Sequence, residues 1–178
     1  RLRAKAEAKR TKEKLKSIAK QIKELEKLAK REKEISDLRI KGLDNEIKIQ
    51  KSLGKDTIDL ERQKLKILID STKRQDELTR ERIRLKKIEL SLLYDEIEAS
   101  FRAQQFYELA NEIAETRKAA FEKLDLELKK SNQTIKDAET ELLVFENEIQ
   151  LEKRKVYKKT AEEKKKIDDK ELEDAKKL

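Results

Sequence analysis

The sequence contains no cysteine, histidine, methionine, tryptophan or proline, and only two glycines, Gly42 and Gly54. Each absence removes a class of chemistry or architecture. Without cysteine there is no disulfide and no thiol nucleophile. Without cysteine and histidine, the common zinc sites, the Ser-His-Asp triad and the helical Glu-x-x-His di-iron ligand set cannot be assembled. The longest uninterrupted apolar run is Leu142-Leu143-Val144-Phe145, far short of the roughly 20 residues that span a bilayer. No signal-peptide pattern is present either.

What is present is charge, at 48% of the residues, with the hydrophobic class at 35%. So thin and evenly spread an apolar complement suits either disorder or long helices sharing narrow seams. The lack of proline and near lack of glycine favour helix, whose interior excludes both. The expected fold is all-α: an elongated coiled coil of long helices, with a turn or bend near Gly54. The chain begins RLRAKAEAKR already in helical register and ends at EDAKKL in mid-pattern. Its expected setting is therefore the interior of a longer polypeptide.

The charge is arranged along the chain. Residues 1–41 carry net +9, residues 101–152 net −5 and residues 153–178 net +4, within a total of +8. Such an axial pattern can set the stagger of neighbouring helices, and basic ends can meet anionic surfaces.

The first arm, residues 1–53, places Leu15, Ile18, Ile22 and Leu25 at alternating three- and four-residue steps. That stripe is a narrow coiled-coil seam. Residues 1–14 hold only Leu2 and scattered alanines between charges, so they are expected to be frayed or solvated. Gly42 followed by Asp44 is a second candidate interruption.

The strongest stop signal is KSLGKDTIDLE, Lys51 to Glu61. Gly54 suits the left-handed residue just past a helix C-terminus. Lys51 and Lys55 favour that negative end of the dipole, Asp56 or Thr57 can cap a new helix, and Asp59 and Glu61 suit its first turn. Residues 54–57 therefore read as a break, either hairpin or bend.

Residues 58–178 contain neither glycine nor proline and are expected to form one long second arm, including the cap-like Ser131-Asn132-Gln133-Thr134. Four of the seven aromatics, Tyr94, Phe101, Phe106 and Tyr107, fall close together and suggest a locally thicker core or a partner contact. Further on, Phe121, Leu128, Ile135, Leu142, Ile149 and Val156 recur at strict seven-residue spacing. Leu124, Ala138 and Phe145 partly fill the companion register, which also contains Ser131 and Glu152. A sustained heptad implies a left-handed supercoil between helices. An isolated helix cannot bury one such stripe, so the 121–156 seam is expected to join copies of the chain. A trimer is favoured over a dimer.

No residue set suggests catalysis. Pairs such as Asp95/Glu98 and Glu112/Glu115 have helical spacing, but such pairs arise by chance among 39 acids. The phosphate-loop pattern GxxxxGK[ST] is absent. The expectation is a non-enzyme with no cofactor, no metal and no small-molecule substrate. Basic stretches such as KAEAKRTKEKLK and KRKVYKK permit non-specific phosphate contacts. Interleaved acids and the lack of a nucleic-acid motif favour a solvated face instead. A membrane-surface role for the first arm is disfavoured because its apolar face is narrow and lacks Trp and Phe.

The long Lys/Glu/Ile-rich helices interrupted by KSLGKDTIDLERQKLKILIDSTKRQ resemble segments of phage tail tape measure proteins. The phrase NEIKIQKSLGKDTIDLE is the strongest piece, and the resemblance covers residues 35–80. It implies several copies of an extended helical chain inside the tail lumen, assembled in the host cytoplasm and lined by the tube protein wall. Chain length would set tail length, and the chain would leave before DNA passes. A tight hairpin at Gly54 would shorten that portion of the ruler. The alternatives are a coiled-coil scaffold or spacer of bacterial or viral origin, cytoplasmic in location, and third, nucleic-acid binding through the basic ends.

Overall fold

The computed structural model describes residues 1–178. The chain is all-α, with α1 at Leu2–Ser52, α2 at Ile58–Ala103 and α3 at Tyr107–Lys176. It divides into two compact units, Arg1–Ala138 and Glu139–Leu178, the second made from the later part of α3.

In the first unit α1 and α2 run antiparallel. Lys51 pairs with Glu61 at 3.2 Å near the turn, Lys64 with Asp44 at 2.7 Å, and Arg74 with Glu32 at 2.8 Å further along. Gln75 adds a hydrogen bond to the carbonyl of Ala29. Beyond these ties the apolar seam closes: Ile18, Ile22 and Leu85 are buried, with Leu25, Ile88 and Leu92 packed against them. Removing an isoleucine or leucine side chain from water is worth about 1.5–3 kcal/mol, so these few residues hold an otherwise polar helix.

The start of α3 returns along α2, again antiparallel. Arg117 pairs with Asp95, Lys87 with Asp125 and Arg82 with Glu127. Thus α2 has a neighbour on two sides, and it carries the largest share of buried positions, among them Leu65, Ile69, Leu78, Ile83 and Leu85. Ile83, at 2% exposure, is the most deeply buried large side chain.

The expectation of one helix over 58–178 is corrected by the structure. Helix α2 stops at Ala103, and Gln105 takes a left-handed φ of 64°. The N–H of Phe106 reaches the carbonyl of Phe101 at 2.8 Å, and that of Gln105 the carbonyl of Arg102 at 3.1 Å. The same pair of bonds closes α1, from Lys55 to Gln50 and from Gly54 to Lys51, both at 3.0 Å, around Gly54 at φ 71°. Both connectors are Schellman motifs. The first uses the residue that favours the geometry, and the second forces it on a glutamine.

Of the two expectations for the aromatic cluster, a thicker core or a partner contact, the first is not met. No thickened core forms there: Phe106 and Tyr107 are exposed at the second turn, and Leu93, Ile97 and Leu109 nearby are exposed too. Nor does α1 break at Gly42, which lies within the helix. Asp44 there pairs with Lys64 rather than capping a new helix.

Candidate functional site: the helix-pairing faces

In the first unit, the seam residues singled out in the sequence lie on the faces along which helices meet. Ile18 and Ile22 of the first-arm seam are buried, while Leu15 and Leu25 are half-buried. Their neighbour is α2 of the same chain. At the Gly54 connector, the N–H of Ile58 donates to Asp56 Oδ1 at 2.9 Å. Thr57 holds the N-cap position, but its side chain makes no capping bond. Its carbonyl takes the N–H of Glu61, and the residue is buried.

Along the heptad seam, Phe121, Leu124, Leu128 and Ile135 are half-buried and Ala138 is buried, all in the first unit. Phe121 lies under the cations Lys87 and Arg117, at 5.8 and 5.7 Å from the ring centroid. The stripe that called for a second chain thus lies, at least around Phe121, beside α2 of its own chain. In the second unit Leu142 and Phe145 are half-buried and Ile149 is buried, whereas Val156 is 64% exposed.

One polar cluster fixes how α3 sits on α2. Asp76 is only 6% exposed. Its Oδ2 accepts from Arg80 Nε at 2.7 Å, one turn on, and its Oδ1 accepts from Ser131 Oγ at 2.7 Å. Arg80 reaches on to Asn132 Oδ1 at 2.6 Å. Ser131, an apparent flaw in the companion register of the heptad, is the residue that meets the buried acid. No buried side-chain nitrogen or oxygen in the chain lacks a hydrogen-bond partner, so this buried carboxylate does not carry the cost of an unmet group.

Elsewhere charges pair along exposed helix surfaces. Arg74, bonded to Glu32 and Glu77, has its pKa raised by those hydrogen bonds. Glu81 is held below the ordinary carboxylate range by its hydrogen bond from Arg84, whose own pKa is raised in return. Surface pairs of this kind contribute about 0–1 kcal/mol each, and of these only Arg74–Glu32 joins two helices and bears on their register.

The grooves in the first unit are shallow furrows between helices. One is lined by Glu32, Ile35, Arg39, Asp70 and Arg74, another by Glu98, Arg117, Phe121 and Asp125. No cluster of three or more His, Cys, Asp or Glu is placed to hold a metal ion. No helix is long and apolar enough to cross a membrane.

Three features of these faces escaped sequence reasoning: the buried Asp76, the depth of Ile83, and the turn at 104–106. Only the last left a signal. FRAQQF places phenylalanine at the two positions, five apart, where a Schellman motif characteristically has an apolar pair. Comparison with protein-family models, curated proteins and solved structures gives no match to this chain.

Proposed function

We propose that the chain is a structural segment: a folded-back helical spacer that sets distance and presents helix faces. The observation that carries this reading is where its polar groups go. Asp76, Ser131, Arg80 and Asn132, together with the pairs 32–74, 44–64, 87–125 and 95–117, all tie one helix to the next. A binding or catalytic site would instead turn several polar groups toward a shared concavity.

Within that class, NEIKIQKSLGKDTIDLE supports a more particular reading, a segment of a phage tail tape measure protein working in the tail lumen against the tube wall. The reversal at Gly54 changes the arithmetic of such a ruler. Residues 2–103 as one straight helix would measure about 150 Å, but the closed hairpin returns residue 103 to the level of the chain start and adds almost nothing to its reach. In-frame deletion of four heptads of α3, residues 142–169, from the encoding gene, with tail length read by electron microscopy, tests the reading. Tails shorter by about 42 Å support the ruler, and unchanged tails, or a source that makes none, remove the tape measure and leave the spacer. Deletion of residues 2–103 then tells the two forms of the ruler apart: tails shorter by about 150 Å mean that it opens the hairpin, and tails of parental length mean that it keeps it.

The spacer itself is tested by adding one heptad to α1 and one at the paired level of α2. A hairpin longer by about 10 Å, seen by small-angle scattering with helicity unchanged, is the expected result. Loss of helix pairing on insertion would overturn it.

A further inference from the structure

The second unit, residues 139–178, changes sign abruptly in its middle. Residues 139–152 hold five glutamates and no lysine or arginine, while residues 153–166 hold eight lysines and arginines and only two glutamates. Both halves show apolar side chains to solvent: Leu143, Val144 and Leu151 on the acidic side, Val156 and Tyr157 on the basic side. Eight of the nineteen exposed large hydrophobic residues of the chain fall in this unit, forty residues of 178. Uncovered apolar side chains are thus denser along the second unit than along the first.

Apart from Val156, which ends the heptad seam, these exposed residues lie off the seam. At roughly 100° per residue, Val144 and Leu151 lie on the opposite side of the helix from Leu142, Phe145 and Ile149, which are half-buried or buried. From Leu151 onward every residue is exposed. The charge pattern indicates what fits. A second copy of this helix laid antiparallel puts the acidic half of each on the basic half of the other, about a two-fold axis near Glu152–Lys153. Exposed Glu141, Glu148 and Glu152 then face the Lys153–Lys166 stretch of the partner copy, twice over. A parallel copy would set glutamate against glutamate and lysine against lysine, and a polyanion would match one half and be repelled by the other.

We propose that the second unit is a self-complementary docking face that pairs antiparallel with the second unit of another copy. Such an interface is isologous and closes at two chains, so it gives a dimer rather than the trimer expected from the sequence. It is independent of whether the spacer serves as a tape measure.

The chain has no native cysteine, so the test can be made on the full chain with single spin labels at Ala161→Cys and Ala175→Cys. Both positions are exposed. Antiparallel pairing requires the distance between copies at 175 to exceed that at 161 by about 42 Å, twice the axial rise of 14 residues. The expected results are that increase and a dimer mass in light scattering. Equal distances at the two sites, or a monomer mass, would overturn the proposal. In a second arm, Glu141, Glu148 and Glu152 become lysine together, a change helices tolerate. The dimer should be lost with helicity unchanged by circular dichroism. A dimer that survives this reversal would also overturn it.

Discussion

Ser131 donates its hydroxyl proton to Asp76 Oδ1 across 2.7 Å, joining α3 to α2 at a buried point of the first unit. A hydrogen bond to a buried carboxylate is directional, so it accepts one register of the two helices and rejects slips that the leucines alone would tolerate. Ser131→Ala should cost about 1 kcal/mol, and Asp76→Ala about 2 kcal/mol because Arg80 also loses its acceptor. The two changes share one bond, so the double variant should cost less than the sum by about 1 kcal/mol. Denaturant unfolding of the three variants measures this. Strict additivity would mean the pair does not couple the helices.

The two glycines should respond oppositely to the same substitution. Gly54 has φ 71°, and an added Cβ there would touch nothing within 4 Å. Gly54→Ala therefore isolates left-handed strain and should destabilise by about 1–2 kcal/mol. Gly42 sits inside α1 with equally open space. Gly42→Ala should stabilise by about 1 kcal/mol through helix propensity. Thermal melts that shift in the same direction for both would contradict the assignment of one glycine to a turn and the other to a helix.

The all-α class, the seams and the Gly54 signals could be read from the sequence because each rests on local physics. Composition excludes strands and compact cores, and a heptad stripe needs no knowledge of its neighbour. What covers each stripe could not be read. Leu15–Leu25 and Phe121–Ala138 look the same whether another chain or α2 lies opposite. The choice depends on turns, and the second turn has no glycine to announce it. Asp76 was hidden for a similar reason: one acid among 39 becomes distinctive only when Ser131 is known to face it.

Glu81 gives a pH signature. Its pKa is lowered chiefly by the hydrogen bond from Arg84, which donates through Nε at 3.1 Å and through the neighbouring guanidinium NH2 at 2.5 Å. A carboxyl with a lowered folded pKa binds fewer protons folded than unfolded. Its contribution is present above the unfolded pKa and is lost as pH falls through the folded one. In Arg84→Gln the Glu81 midpoint, followed by carboxyl NMR, should move up toward the ordinary glutamate value. The stability difference between parent and variant should shrink as the pH becomes acidic. A midpoint that stays put would show that Arg84 is not the cause.

Gln105 is the one non-glycine residue with positive φ, and it closes a turn built like the one at Gly54. A side chain in that conformation costs roughly 1–2 kcal/mol, partly offset by the greater freedom glycine has when unfolded. Gln105→Gly should therefore stabilise the first unit by up to about 1 kcal/mol. The side chain is exposed, so no packing is lost to confuse the reading. The opposite change, Gln105→Val, should cost more than the glutamine does, because a β-branched residue is least tolerant of this backbone region. If α2 and α3 were instead one continuous helix, the order would invert: glycine would destabilise by about 1 kcal/mol and valine would cost a few tenths. Denaturant midpoints of the two variants thus distinguish a turn at 104–106 from a straight helix through it.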